Sequence, residues 1–266
     1  MEHHTLFKKS FNYFKLVSSD YCRKFIFFLK FGIINNKKAT IIEEDNAVQN
    51  MDGINLIAIV SSALEYSNTL GRFPAPRNLR FIEGMSGQRF RSFLFYLSKN
   101  LSTFNYLEIG VWKGSTASCI LKNGKAKAIL VDNWSQFGGP RKAANKRLRK
   151  YIKESNALLV DSSLEMLREE YIFESPLVYF YDGAHDYQSH LEATLLINQF
   201  KSSQLIYIVD DWNWENVRNG TIDGLKQVKL KIVKQWQIFP NIADKGGKYG
   251  AWHNGTFICI LSRDLY

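Results

Sequence analysis

Acidic residues close one apolar run after another along this chain. Glu108 follows NYL, Asp132 ends AILVD, Asp161 ends ALLVD, Asp182 ends LVYFYD, and Asp210 and Asp211 end LIYIVDD. Burying an unpaired carboxylate costs on the order of several kcal/mol, so packing alone gives no reason for the recurrence. One such acid readily caps a helix. A series of them at one edge of a parallel sheet lines a crevice for a ligand. The first acid opens EIGVWKGST, where Gly110 and Gly114 bracket a turn and Ser115 and Thr116 can start a helix. Glycines let the backbone approach a ligand closely, and a helix start presents unpaired N–H donors.

This turn fits neither common phosphate loop. Lys113 precedes Gly114, whereas a Walker loop has Gly-Lys-Ser/Thr. The dinucleotide fingerprint needs a third glycine at set spacing, and Val111 and Trp112 occupy the intervening positions. A carboxylate just ahead of the turn is a poor neighbour for a pyrophosphate and a good one for a cationic amine. That points away from NAD and toward S-adenosylmethionine.

The elements that must position these residues alternate as in a parallel α/β protein. Apolar runs predict strands at Asn105–Ile109, Ala128–Val131, Ala157–Val160, Leu177–Tyr181 and Gln204–Val209, with helices starting near Ser115, Pro140, Ser163, Tyr187 and Asn216. Leu230–Ile238 and Gly255–Leu261 are joined by a glycine-rich stretch without helical periodicity, which predicts an antiparallel closing hairpin. Ahead of the first strand, SGQRFRSFLFYLSKNL reads as an amphipathic helix, and Pro74 and Pro76 mark a linker. Ile41 to Ser67 starts acidic and reads as helical. The chain therefore divides into an N-terminal helical, basic-aromatic extension over 1–76 and a catalytic domain over 77–266.

The stretch from Glu108 to Thr116 resembles motif I of class I S-adenosylmethionine-dependent methyltransferases, in the branch with Glu-x-Gly-x-x-x-Gly-Ser/Thr. The resemblance runs from about residue 80 to the C-terminus. It includes YDGAHDY, which is similar to the Asp-Gly-x-His-x-Tyr pattern of sugar and macrolide O-methyltransferases. The fold it implies is a Rossmann-like, seven-stranded, mostly parallel sheet with an antiparallel last strand and helices on both faces. By the same resemblance Glu108, Gly110, Gly114, Ser115 and Thr116 hold the methionine end of the cofactor. Asp132 takes the ribose hydroxyls, and Asp161 and Ser162 lie near the adenine, although Asp161 reads equally as the cap of the helix begun by SSLEML. Asp182, Asp210 and Asp211 match the positions that hold a divalent cation, and three hard oxygens suit Mg²⁺ or Ca²⁺ rather than zinc. His185, three residues after Asp182, is then the general-base candidate. His190 and His253 lack that company and read as structural or solvent-facing. Of the two tryptophans in DDWNW, Trp212 and Trp214, one reads as packing and one as a wall over the acceptor. The implied activity is methyl transfer to a hydroxyl of a sugar, glycolipid or other polyhydroxylated small molecule. The rivals are a Rossmann oxidoreductase or epimerase and a catalytically silent, membrane-peripheral binding module.

Composition narrows the partners. The formal net charge is +10, but the excess is concentrated in the first forty residues and in RKAANKRLRKYIK from Arg141, where helical spacing predicts a solvated face. No nucleic-acid motif accompanies it, so a nucleic-acid partner is not favoured. Three widely spaced cysteines, Cys22, Cys119 and Cys259, argue against a disulfide framework and fit a reducing, cytoplasmic setting. Residues 1 to 40 mix aromatics with lysines, and the run from Phe25 to Ile34 is interrupted by Lys30. It is too short and charged to span a bilayer. It either packs on the domain or a partner, a second copy of the chain included, or lies on a membrane surface.

Overall fold

The computed structural model describes residues 34–36, 39–45, 51–68, 76–154, 156–161, 177–240 and 252–263. All of them fall in one compact unit, Ile34–Tyr266. Nine strands form one sheet: β1 (Ile34–Asn36), β2 (Ala39–Asp45), β3 (Phe104–Ile109), β4 (Ala126–Asp132), β5 (Ala157–Asp161), β6 (Leu177–Tyr181), β7 (Gln204–Asp210), β8 (Lys231–Pro240) and β9 (Thr256–Ser262). Their order across the sheet is β1-β2-β8-β9-β7-β6-β3-β4-β5. The pairs β3–β4, β4–β5, β3–β6 and β6–β7 are parallel, and β9 runs antiparallel between β7 and β8. This is the Rossmann-like sheet expected, with its antiparallel closing strand.

Two strands exceed the seven anticipated. The acidic stretch Ile41–Asp45, read as the opening of a helix, instead belongs to β2, which pairs antiparallel with β8 from Ala39↔Pro240 to Asp45↔Lys234. Glu43 there meets Lys234, which is almost fully buried, at 3.4 Å. The helix α1 begins later, at Met51–Asn68. Both elements had been assigned to the extension before residue 77, yet β2 extends the sheet and α1 packs on α3 (Gln88–Asn100), with Tyr66 stacked on Tyr96 at 4.1 Å. The other helices are α2 (Arg77–Arg80), α4 (Ser115–Leu121), α5 (Arg141–Lys153), α6 (Tyr187–Leu195) and α7 (Glu215–Leu225). The helix expected near Ser163 and residues 1–33 lie outside the described residues.

The two-residue period of the strands builds a core on each face. Tyr106, Leu130, Val178, Phe180, Ile206, Ile208, Ile258 and Ile260 face Val60, Phe90, Phe93, Leu94, Ile120 and Leu148 from α1, α3, α4 and α5. Leu107, Ile109, Val131, Tyr179, Tyr207, Val209 and Cys259 face Ala193, Leu196, Val217 and Leu225 on the other side. Cys119 and Cys259 are free and buried. Strand order reverses between β3 and β6. Such a switch point splays the loops at the carboxyl ends of the strands and opens a crevice there. No helix among the described residues is long and apolar enough to cross a membrane.

Candidate active site

A cleft of about 580 Å³ opens at that switch point, a size suited to a small-molecule ligand. Its walls include Gly110, Asp132, Asp182, His185, Asp210, Asp211 and Trp214. Gly110 forms the floor. Its φ of +94° is unfavourable for any side chain, and a Cβ there would lie 1.8 Å from the Asp182 carbonyl oxygen. The backbone closes this junction with Gly110 N–H donating to Val131 O and Asp182 N–H to Ile109 O.

Asp132 organises one side of the cleft. One carboxylate oxygen accepts the N–H of Trp112 at 2.7 Å, and the other accepts that of Trp134 at 2.6 Å. Both tryptophans hold left-handed backbone, with φ of 43° and 56°. Such conformations cost roughly 1–3 kcal/mol for a bulky residue and persist where surrounding contacts enforce them. Phe137, Asp211 and His253 are left-handed too, and all three line the cleft. Backbone strain is thus gathered around one cavity. The glycine-rich stretch after Asp132 supplies Asn133, Gln136 and the exposed Phe137 to the rim.

The opposite side carries the acid cluster. Asp210 ends β7 almost fully buried, and Asp211 follows in a loop clamped to the turn before β9, with Asn213 N–H donating to Asn254 O. Asn254 Nδ2 donates to Asp211 Oδ1 at 2.7 Å, and His185 Nε2 lies 2.8 Å from Asp211 Oδ2. The His185 ring meets Trp214 edge-on at 4.8 Å, and Trp214 is half exposed. Burial and the neighbouring charges of Asp210 and Asp211 push Asp182 well above the usual carboxylate range. Burial and the Asp211 charge do the same to Asp210. Burial also works to raise Asp211, but its hydrogen bond and charge contact with His185 hold it below the usual range. The same bond pushes His185 up.

The residues assigned from sequence separate into two groups. Gly110, Asp132, Asp182, His185, Asp210 and Asp211 meet in the cleft. Glu108 does not face it. Its side chain is fully buried, accepting hydrogen bonds from Tyr106 Oη and Thr116 Oγ1. Burial pushes it up to about 7 against those bonds. Glu108 and Thr116 therefore tie β3 to the start of α4. Gly114, at φ +71°, packs against Leu148, and Ser115 abuts Gly84. Asp161 accepts from Arg141 Nε and Trp134 Nε1 beside the cleft instead of lining it. Ser162 lies outside the described residues. Trp212 is the packing tryptophan, fully buried and stacked on Phe257 at 4.4 Å, and Trp214 is the wall.

His253 and Asn254 were missed. They line the cleft because β9 runs beside β7, a pairing that their tripeptide context does not announce. His190 is the structural histidine expected: it is buried, its Nδ1 is 3.3 Å from Thr221 Oγ1, and its Nε2 has no partner among the described residues. Burial pulls His190 down to about 4 from an ordinary 6.5. An unfolded chain protonates it near 6.5 while the native state resists until about 4, so its contribution is intact above 6.5 and lost as pH falls toward 4. Wild type should lose about 3 kcal/mol more than His190→Gln over that window, measured as urea unfolding against pH.

The donor chemistry can be tested for a cation. Ligand atoms of Asp182, His185 and Asp211 all lie within 4.8 Å of one another, close enough to share one ion. Asp210, the third aspartate expected from sequence, lines the same cleft but is not in that group.

No protein-family model matches the chain, and no curated protein matches it. Solved structures resemble it at low TM-scores. Cofactor-bound Rv0187 from MTB is 13% identical, with 83% of this chain and 99% of that one covered at a TM-score of 0.46. M. capricolum TrmK in complex with S-adenosyl-homocysteine is 17% identical, with 65% and 68% covered at 0.44. The SAM-dependent O-methyltransferase from Thermotoga maritima is 12% identical, with 65% and 64% covered at 0.43.

Proposed function

We propose that the chain is an S-adenosylmethionine-dependent methyltransferase acting on a hydroxyl of a small polyhydroxylated acceptor, a sugar or glycolipid among them, with help from a divalent cation. One observation carries this reading: the acids at the ends of β4, β6 and β7 converge on one cleft that Gly110, at a φ of +94°, also lines. That cleft suits a cationic nucleoside and opposes a pyrophosphate, whose charge would meet Asp132, Asp182 and Asp211 at close range.

Asp132 is placed to accept the ribose hydroxyls while anchoring the loops on either side. Gly110, free of a Cβ, lets the backbone come close to the amino-acid end of the cofactor, as expected from sequence. When bound, the cofactor supplies an electrophilic methyl on sulfur. A cation on Asp182 and Asp211 would supply Lewis acidity to acceptor oxygens. Asp211 orients the His185 ring through Nε2, which leaves Nδ1 to take the hydroxyl proton as the oxygen–methyl bond forms and the carbon–sulfur bond breaks. Trp214 offers an apolar face to the ring of the acceptor.

The test is transfer of labelled methyl to a panel of free and lipid-linked sugars, with Mg²⁺ or Mn²⁺ and with EDTA. Equal rates in EDTA remove the cation, and no transfer to any hydroxyl compound removes the O-methyl assignment. His185→Ala should lower turnover by about 10²-fold or more while retaining the thermal shift produced by the cation. Loss of that shift would make His185 a ligand instead of a base.

A further inference from the structure

The loop that precedes α3 is held by an unusual device. Arg91 of α3 is 1% exposed, and it spends its guanidinium on the loop: Nη1 donates to Ile82 O at 2.6 Å, Nη2 to Gly84 O at 3.1 Å and Nε to Ser86 Oγ at 2.9 Å. A guanidinium is costly to bury, and a planar fork engaging three acceptors fixes both position and orientation of what it holds. The loop is also docked on the turn after β3. A Cβ on Gly84 would lie 2.1 Å from Ser115 Oγ, Ser86 Oγ is 3.4 Å from that same oxygen, and Glu83 pairs with Lys113. Arg147 of α5 donates to the carbonyls of both Glu83 and Lys113.

Met85 sits between these anchors and lines the cleft, 42% exposed. Peptide planarity decides what it offers there. In a trans peptide the N–H points opposite to the preceding C=O. With Gly84 O directed at Arg91, the N–H of Met85 is directed away from it, and among the described residues it meets no acceptor. That donor belongs to a residue of the cleft wall, and the cavity beside it carries four acids, Asp132, Asp182, Asp210 and Asp211. A zwitterionic tail can put its amine against those acids, but its carboxylate needs a donor elsewhere.

We propose that Arg91 is a positioning residue that fixes the Ile82–Ser86 loop as the wall recognising the carboxylate of the ligand's amino-acid tail. This rests on the cofactor reading above. Arg91 touches no ligand itself. Its effect passes through the loop carbonyls to the N–H of Met85.

The probes are S-adenosylhomocysteine and 5′-methylthioadenosine, which share nucleoside and thioether but differ in the amino-acid tail. Both are titrated calorimetrically into full-length wild type, Arg91→Met and Gly84→Ala. Arg91→Met should weaken S-adenosylhomocysteine roughly tenfold or more and leave 5′-methylthioadenosine unchanged. Gly84→Ala, whose Cβ would drive the loop off Ser115 and crowd the end of the Arg91 guanidinium at 3.1 Å, should give the same split. Should Arg91→Met fail to fold, Gly84→Ala and Ser86→Ala carry the comparison. Equal weakening of both ligands, or of neither, in folded variants overturns the proposal while leaving the cofactor reading intact. Wild type that binds neither ligand overturns both.

Discussion

Asp182→Asn should raise the melting temperature of the metal-free protein while abolishing its response to divalent cations. Asp182 is held well above the usual carboxylate range by burial and by the charges of Asp210 and Asp211. Asparagine keeps the shape and removes the charge, so it should stabilise the protein by about 1–2 kcal/mol, or roughly 2–8 °C. The sign follows from linkage. A folded carboxylate with a raised pKa binds more protons than the unfolded chain, so stability declines as pH climbs from the ordinary value toward the raised one. The gap between variant and wild type should therefore widen between pH 4 and pH 7. In wild type a cation at about a hundred times its Kd should add about 2.7 kcal/mol, and in the variant little or nothing. Differential scanning fluorimetry with and without Mn²⁺ reads both effects. A variant less stable than wild type, with its cation shift intact, would show that the acids are not a binding cluster.

Asp132→Ala should produce the complementary loss. Two backbone N–H groups, those of Trp112 and Trp134, would lose their acceptor, and both residues occupy left-handed conformations that this carboxylate helps enforce. Hydrogen bonds to a charged group contribute about 1.5–3 kcal/mol each, and the side chain is also the proposed ribose contact. Affinity for S-adenosylhomocysteine should fall on the order of 10²-fold, measured by calorimetry, while the cation-induced thermal shift persists. The two variants thus divide the cleft: one keeps the nucleoside and loses the cation, the other does the reverse. If Asp132→Ala binds S-adenosylhomocysteine as wild type does, Asp132 supports the loops and nothing more.

What the residues disclosed in advance follows from how local each feature is. The parallel strands were legible because each is a short apolar run stopped by an acid, and Leu177–Tyr181 matched its predicted bounds. β2 was hidden because IIEED looks like the acidic opening of a helix; its strand state comes from pairing with β8, nearly two hundred residues away. Glu108 shows what a motif leaves open. It shares a sheet face with Tyr106, two residues before it, and that face turns toward α4, so Tyr106 and Thr116 consume its oxygens. The two-residue period held that signal, since Leu107 and Ile109 lie on the other face. His253 carried no such signal, because only the placement of β9 against β7 brings it to the cleft.

Heat of binding of S-adenosylhomocysteine to the full-length protein, set beside that of NAD under the same buffer, bears most directly on the central claim. One saturable site for S-adenosylhomocysteine and none for NAD is the result expected of an acid-lined cleft built for a cationic nucleoside. A silent titration with S-adenosylhomocysteine, or NAD binding that Asp132→Ala abolishes, would contradict it.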